Sequence, residues 1–140
     1  MVGKSSILGS LFALTAVVLG AFGAHALKSN LDLSQLSAYE TGVRYQFYHA
    51  FALFVVWFLA QSKSGQGYPK FLSLAVWCFT FGILLFCGSL YLLACRDLLG
   101  LASWTWLGPL TPIGGLLFIV GWTFVLLSQI TSKKTSVVND

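Results

Sequence analysis

The strongest constraint in this sequence is the length of its apolar runs. From Phe71 to Cys95 no Asp, Glu, Lys or Arg interrupts the chain, and comparable stretches occupy about residues 5–27, 44–61 (behind Arg44) and 109–130. A bilayer core of about 30 Å takes roughly 20 residues of helix. Backbone groups in lipid must be satisfied within the chain, so runs of this length are helices. The short alternating segments of a transmembrane barrel are absent. Composition agrees: 57% of residues are apolar and 9% charged, against about 25% charged in a soluble domain. A chain of 140 residues could not bury that much apolar surface in water, and it is too apolar for disorder. The expected fold is a single all-α domain, an up-down transmembrane bundle of four helices, followed by a polar tail over 131–140 that should fray.

The connections carry local signals. Asp32 and Gln35 have the spacing of a capping box. Residues 34–44 are polar enough to lie at the interface before the second span enters the bilayer, and Glu40 precedes Arg44 in the favourable i,i+4 order. Gln61–Lys70 reads as an exposed turn. Thr111-Pro112 reads as an N-cap followed by proline at the first helical position. Trp104 and Trp106 in the third connection suit the membrane–water interface.

Formal net charge is +4, and the basic residues flank the apolar runs. They read as orientation signals, with no basic-aromatic patch for nucleic acid. Lys4, Lys63, Lys70, Lys133 and Lys134 fall on one side; Lys28, Arg44 and Arg96 fall on the other. The positive-inside rule then puts both termini in the cytoplasm. Lys4, the first apolar run and Ala24-His25-Ala26 also mimic a signal peptide, but the run exceeds the usual h-region and its glycines suit helix packing, so it is read as a retained span.

Small residues recur at helical spacing. Gly9, Ala13, Ala16, Gly20 and Gly23 form a seam on the first span; Gly82 lies on the third span's small face, and Gly114, Gly115 and Gly121 lie near the interior of the fourth. Lipid offers no hydrophobic drive for helices to associate, so such positions are expected to be close packing contacts.

Ionisable groups near spans are functional candidates. His25, Arg44, Tyr45, His49 and Arg96 are all assigned to the non-cytoplasmic half, and the expectation is one polar cluster with His25 near His49, able to hold an anion or lipid headgroup. The bland alternative is separate interfacial anchoring of each side chain. Two histidines could ligate haem, but both are placed near the bilayer edge and His25 faces away from its helix's seam. Zinc needs three or four ligands, and Cys78, Cys87 and Cys95 have no metal spacing. No cofactor or metal is therefore expected. No nucleophile elbow, phosphate loop or dinucleotide fingerprint is present, so no enzymatic activity is expected, and a proton or ion carrier would hold an acid deep in a span, whereas every acid here is read as lying in a loop or tail.

Four strings together carry a resemblance: GAFGAHALK at 20–28, TGVRYQFYHAFALF at 41–54, FCGSLYLLA at 86–94 and LGPLTPIGGLLFIVGW at 107–122. The chain resembles the YgdD/YwdK family of small inner-membrane proteins, domain of unknown function 423, whose animal relative is transmembrane protein 256. Cys87 departs from the serine expected there. The resemblance implies a multi-pass bacterial inner-membrane protein and supplies no catalytic residue. The partners expected are the lipid bilayer and a larger membrane complex or a second copy of the chain. A non-enzymatic accessory or scaffold role is the first expectation, and a small carrier or sensor for a headgroup or anion is the alternative.

Overall fold

The structure is a computed structural model, and it describes residues 2–62, 70–101 and 103–137. It is helical throughout its regular elements, with four stretches long and apolar enough to cross a membrane: Val2–Leu27, Leu33–Gln61, Lys70–Ala94 and Leu110–Thr131. Helix α1 spans Ser5–Phe22 and runs on through a π-helical turn, Gly23–Leu27. Helix α2 spans Leu33–Gln61. Helices α3 (Lys70–Gly82) and α4 (Gly88–Ala94) form one rod joined by a second π turn, Ile83–Cys87. Helix α5 spans Leu110–Val137, so the chain stays helical past the expected end of its fourth span. The turn expected at Gln61–Lys70 lies for the most part outside the described residues.

Neighbours in sequence pack as neighbours in space. α1 lies along α2, α3 lies along α5, and α2 joins the two pairs by touching α3, the second π turn and α4. The core accordingly fills the seam between α2 and α3 with Leu53, Val56, Leu72, Val76 and Phe79, all fully buried. α1 and α5 are the outer helices, and Ile7, Leu14, Val18, Leu116, Ile119 and Leu126 on them point outward.

The second span is longer than its hydropathy suggests. α2 begins at Leu33 and continues without a break, whereas residues 34–44 read as an interfacial segment from sequence. The expected capping box explains the start. Asp32 accepts from the Ser34 and Gln35 N–H groups at 2.7 and 2.8 Å, and Gln35 Oε1 accepts from the Asp32 N–H at 3.1 Å. The first turns then hold because Tyr39 and Gly42 are buried against α1 and α4. Thr111 is not a cap: α5 already includes Leu110, and the Thr111 hydroxyl shares a 2.7 Å hydrogen bond with Ser89 on α4.

The glycines mark where helices approach most closely. A Cβ on Gly9 would stand 2.9 Å from the Ala50 carbonyl oxygen, one on Gly23 2.7 Å from the Tyr39 ring, one on Gly82 2.6 Å from Phe118, and one on Gly114 2.4 Å from the Phe86 nitrogen. Gly20 is looser, with Val43 at 3.3 Å, and Gly115 would make ordinary contact with Phe86 at 3.7 Å. Gly42 and Gly121 are as tight as the first group, facing Tyr91 and Phe79 at 2.8 and 2.7 Å. Gly114 faces the second π turn itself, where the extra residue pushes the Phe86 backbone toward α5.

Candidate functional site

Depth decides what the polar residues can do. With α2 starting at Leu33, Gln46 and His49 lie near its middle. Gln46 meets Phe12 and Thr15, and the His49 ring meets Phe79 and Phe118. Those partners lie close to the midpoints of the other three spans. Both residues therefore sit at half-height in the bundle.

Gln46 ties three helices together. Its Nε2 donates to the Phe12 carbonyl at 2.9 Å and to Thr15 Oγ1 at 2.8 Å, both on α1, and its Oε1 accepts from the Tyr91 hydroxyl on α4 at 2.8 Å. Tyr91 reaches inward because helical side chains lean toward the helix N-terminus. Its ring packs on Tyr39 with centroids 5.0 Å apart, and the Tyr39 hydroxyl donates to the Leu19 carbonyl at 3.0 Å, just before the first π turn. A side chain bonding into the helix ladder is a recognised cause of such an irregularity. In lipid an unpaired amide would be costly, and here each polar end of Gln46 has a partner.

His49 is buried at 6% exposure. Its Nδ1 lies 2.8 Å from the Tyr45 carbonyl oxygen. A carbonyl only accepts, so Nδ1 carries the proton and Nε2 is left as an acceptor. The ring stacks on Phe118 with centroids 3.4 Å apart and planes 8° from parallel, and Phe79 and Trp122 flank it. His49 lines a groove of about 690 Å³ between α2 and α5, together with Tyr45, Phe86, Gly115, Phe118 and Trp122.

The five residues expected to form one cluster do not assemble. Tyr45 and His49 are neighbours, with ring centroids 6.0 Å apart. His25 is exposed in the first π turn, beside Gly23, which packs on Tyr39. Ten residues of α2 separate Tyr39 from His49, about 15 Å of helix rise. His25 and His49 thus lie at different depths, and the expected contact is absent. Arg44 points to the flank and pairs with Glu40 at 3.8 Å, as their spacing suggests. Both line a small cleft of about 210 Å³ with Gly20, Gly23 and Tyr39. Arg96 is farther out. It lies 3.7 Å from Asp97, whose other oxygen accepts from Gln35 Nε2 at 2.6 Å, so the loop after α4 is fastened to the start of α2. The Asp32 carboxyl there is held below its ordinary range, chiefly by the Gln35 backbone N–H and then by Ser34, with a smaller pull from Arg96. Among the described residues, no three His, Cys, Asp or Glu side chains come together as a metal site.

Against known proteins, the family model described as a protein of unknown function (DUF423) matches residues 19–115. The chain belongs to that family. It is 43% identical over 124 residues to the UPF0382 membrane protein YwdK of Bacillus subtilis, covering 89% of this chain and 94% of that protein. It is 40% identical over 124 residues to the UPF0382 membrane protein SERP0230 of Staphylococcus epidermidis, covering 89% and 93%. A UPF0382 membrane protein of Haemophilus influenzae is 37% identical over 134 residues, covering 96% and 99%. No solved structure matches the chain. The matched residues take in both π turns, Gln46, its partner Tyr91 and His49, while its α1 partners Phe12 and Thr15 precede them. The protein is a multi-pass membrane protein, and its apolar helices sit in a lipid bilayer.

Proposed function

We propose that the protein is a non-enzymatic accessory or scaffold protein of the cell inner membrane, with both termini in the cytoplasm. The observation that carries this reading is the Gln46 network. The polar groups at the centre of the bundle hold helix to helix, from α1 through α2 to α4, and so serve assembly. The outer helices α1 and α5 keep broad apolar faces outward, where a partner helix or a second copy can lie. The five-to-three division of Lys and Arg supports the orientation. The test is crosslinking in native membranes, mild detergent extraction and mass spectrometry. Stoichiometric recovery of one membrane complex, or of a homo-oligomer, is expected. Recovery of the uncrosslinked monomer alone would refute the scaffold role.

The cleft at Arg44 supports a second reading, a small carrier or sensor that holds a lipid headgroup. A guanidinium suits phosphate, and the cleft walls are Gly20, Gly23 and Tyr39. Arg44→Gln should then lower the anionic lipid retained through purification without changing helix content. Unchanged lipid retention would exclude that reading.

A further inference from the structure

The groove beside His49 has a feature that packing does not account for. Nδ1 is satisfied by the Tyr45 carbonyl, and Nε2 makes no hydrogen bond among the described residues. Among the described residues no fully enclosed side-chain nitrogen or oxygen lacks a partner. Nε2 therefore keeps a small opening although the residue as a whole is 6% exposed, and the cavity that His49 lines is the groove. The second π turn carries Phe86 to one wall. Phe118 covers one face of the imidazole, and Gly115 leaves the floor open where a larger residue would fill it. The outer rim consists of residues that face lipid, Leu116, Ile119 and Trp122.

These properties select a ligand. At mid-bilayer a charged imidazole or a charged guest is costly, so both partners are neutral. Neutral His49 with its proton on Nδ1 presents a lone pair, which takes an O–H or N–H donor. Walls of stacked aromatic rings favour a flat ring. A volume of about 690 Å³ falls within the usual range of small-molecule sites. The opening faces lipid, so entry is sideways from the membrane. We propose that this groove binds a neutral, ring-bearing alcohol or phenol dissolved in the bilayer, its hydroxyl donating to His49 Nε2. The groove is distinct from the Arg44 cleft and would stand if headgroup binding there failed.

The test uses the full chain in nanodiscs, with 1-naphthol as probe and 1-methoxynaphthalene as the same ring without a donor. Binding is measured by equilibrium dialysis against protein-free nanodiscs, which removes simple partition. Naphthol should bind saturably, one per chain, about threefold to tenfold more tightly than the ether, the range for one neutral hydrogen bond. His49→Phe should erase that preference while still binding both rings. Gly115→Leu, which fills the floor, should weaken both by about tenfold. In the unaltered protein the Nε2 nitrogen resonance of His49 should move with naphthol and stay with the ether, with His25 as internal control. That measurement decides the matter even if His49→Phe fails to fold. Equal affinities for the two probes, a preference that survives His49→Phe, or an unmoved Nε2 resonance would each overturn the proposal. So would an inter-copy disulfide through Ile119→Cys accompanied by no saturable naphthol uptake, which would assign the groove to a second copy of the chain.

Discussion

Adding one methyl group at Gly114 and one at Gly115 should move stability in opposite directions. Both residues lie in the second turn of α5, so the intrinsic effect is shared: alanine is favoured over glycine in a helix by up to about 1 kcal/mol. What differs is the space. At Gly115 the new carbon would meet the Phe86 ring at 3.7 Å, an ordinary contact. At Gly114 it would meet the Phe86 nitrogen at 2.4 Å, its Cβ at 2.7 Å and its Cα at 2.8 Å. Two of those three atoms are backbone and cannot rotate away. Restoring normal separation means moving α5 from the second π turn by on the order of 1 Å, a gap that forfeits roughly a quarter to a half of each contact's dispersion energy.

Overpacking costs about 1–3 kcal/mol in general, and the rigid backbone contact puts Gly114→Ala near the upper figure. The helix-propensity term cancels in the comparison, so Gly114→Ala should be about 3 kcal/mol less stable than Gly115→Ala. Against the unaltered protein, Gly114→Ala should lose about 2 kcal/mol and Gly115→Ala should gain up to about 1 kcal/mol. The assay is equilibrium unfolding in mixed micelles titrated with SDS, followed by circular dichroism. Equal midpoints and slopes for the two variants would show that α5 does not approach the π turn this closely. The reverse order would refute the packing outright.

Three further outcomes follow from the same structure. Gln46→Leu should destabilise the bundle by about 1–2 kcal/mol, and Gln46→Leu with Tyr91→Phe should cost less than the sum of the two single variants, because the double variant leaves neither group waiting for the other; additive losses in a double-mutant cycle would remove the hydrogen bond from the account. The depressed Asp32 carboxyl contributes to folding above its ordinary value of 3.8, and that contribution fades as pH falls through the lower folded value, so the Ser34 and Gln35 amides should lose hydrogen-exchange protection only in that acid range, and loss of protection between pH 5 and 7 would contradict it. With the native cysteines replaced, a membrane-impermeant thiol reagent applied to whole cells should label Ser103→Cys and spare Ser62→Cys, while the opposite pattern would invert the proposed orientation.

Much of the bundle was legible in the sequence because its signals are local. The absence of charge over 71–95 identifies a span with no tertiary information, and Asp32 and Gln35 announce a helix start within four residues. The glycine spacing on the first span pointed to a contact face, and Gly9, Gly20 and Gly23 do lie against α2. The π turns have no comparable signature. One forms where Tyr39 bonds the Leu19 carbonyl, the other where Gly114 admits the Phe86 backbone, and each partner lies far away in sequence.

The candidate site was misplaced in depth for a related reason. Hydropathy finds the most apolar stretch of a helix, and in α2 that stretch starts near Tyr45, twelve residues after the helix itself. The earlier turns carry exposed polar residues, Ser34, Ser37, Glu40 and Arg44, and only a narrow stripe of them is covered by protein: Tyr39 is 2% exposed, and Gly42 receives the Tyr91 ring. Counted from Tyr45, His49 is an interfacial residue one turn from the edge, fit to share a headgroup with His25 and Arg44. Counted from the cap at Asp32, it stands near the middle of the span. Gln46 illustrates the same shift in register. Tyr39, Gly42, Gln46 and His49 recur at spacings of three, four and three, a helical stripe, which a count that starts at Tyr45 cuts in two. With the stripe restored, Tyr39 and Gln46 hydrogen-bond to α1, Tyr91 on α4 meets both, and His49 Nδ1 bonds within α2. Among the described residues the His49 Nε2 lone pair is the polar position on the stripe without a hydrogen bond, and the proposed recognition therefore centres on this residue rather than on the charged groups near the surface.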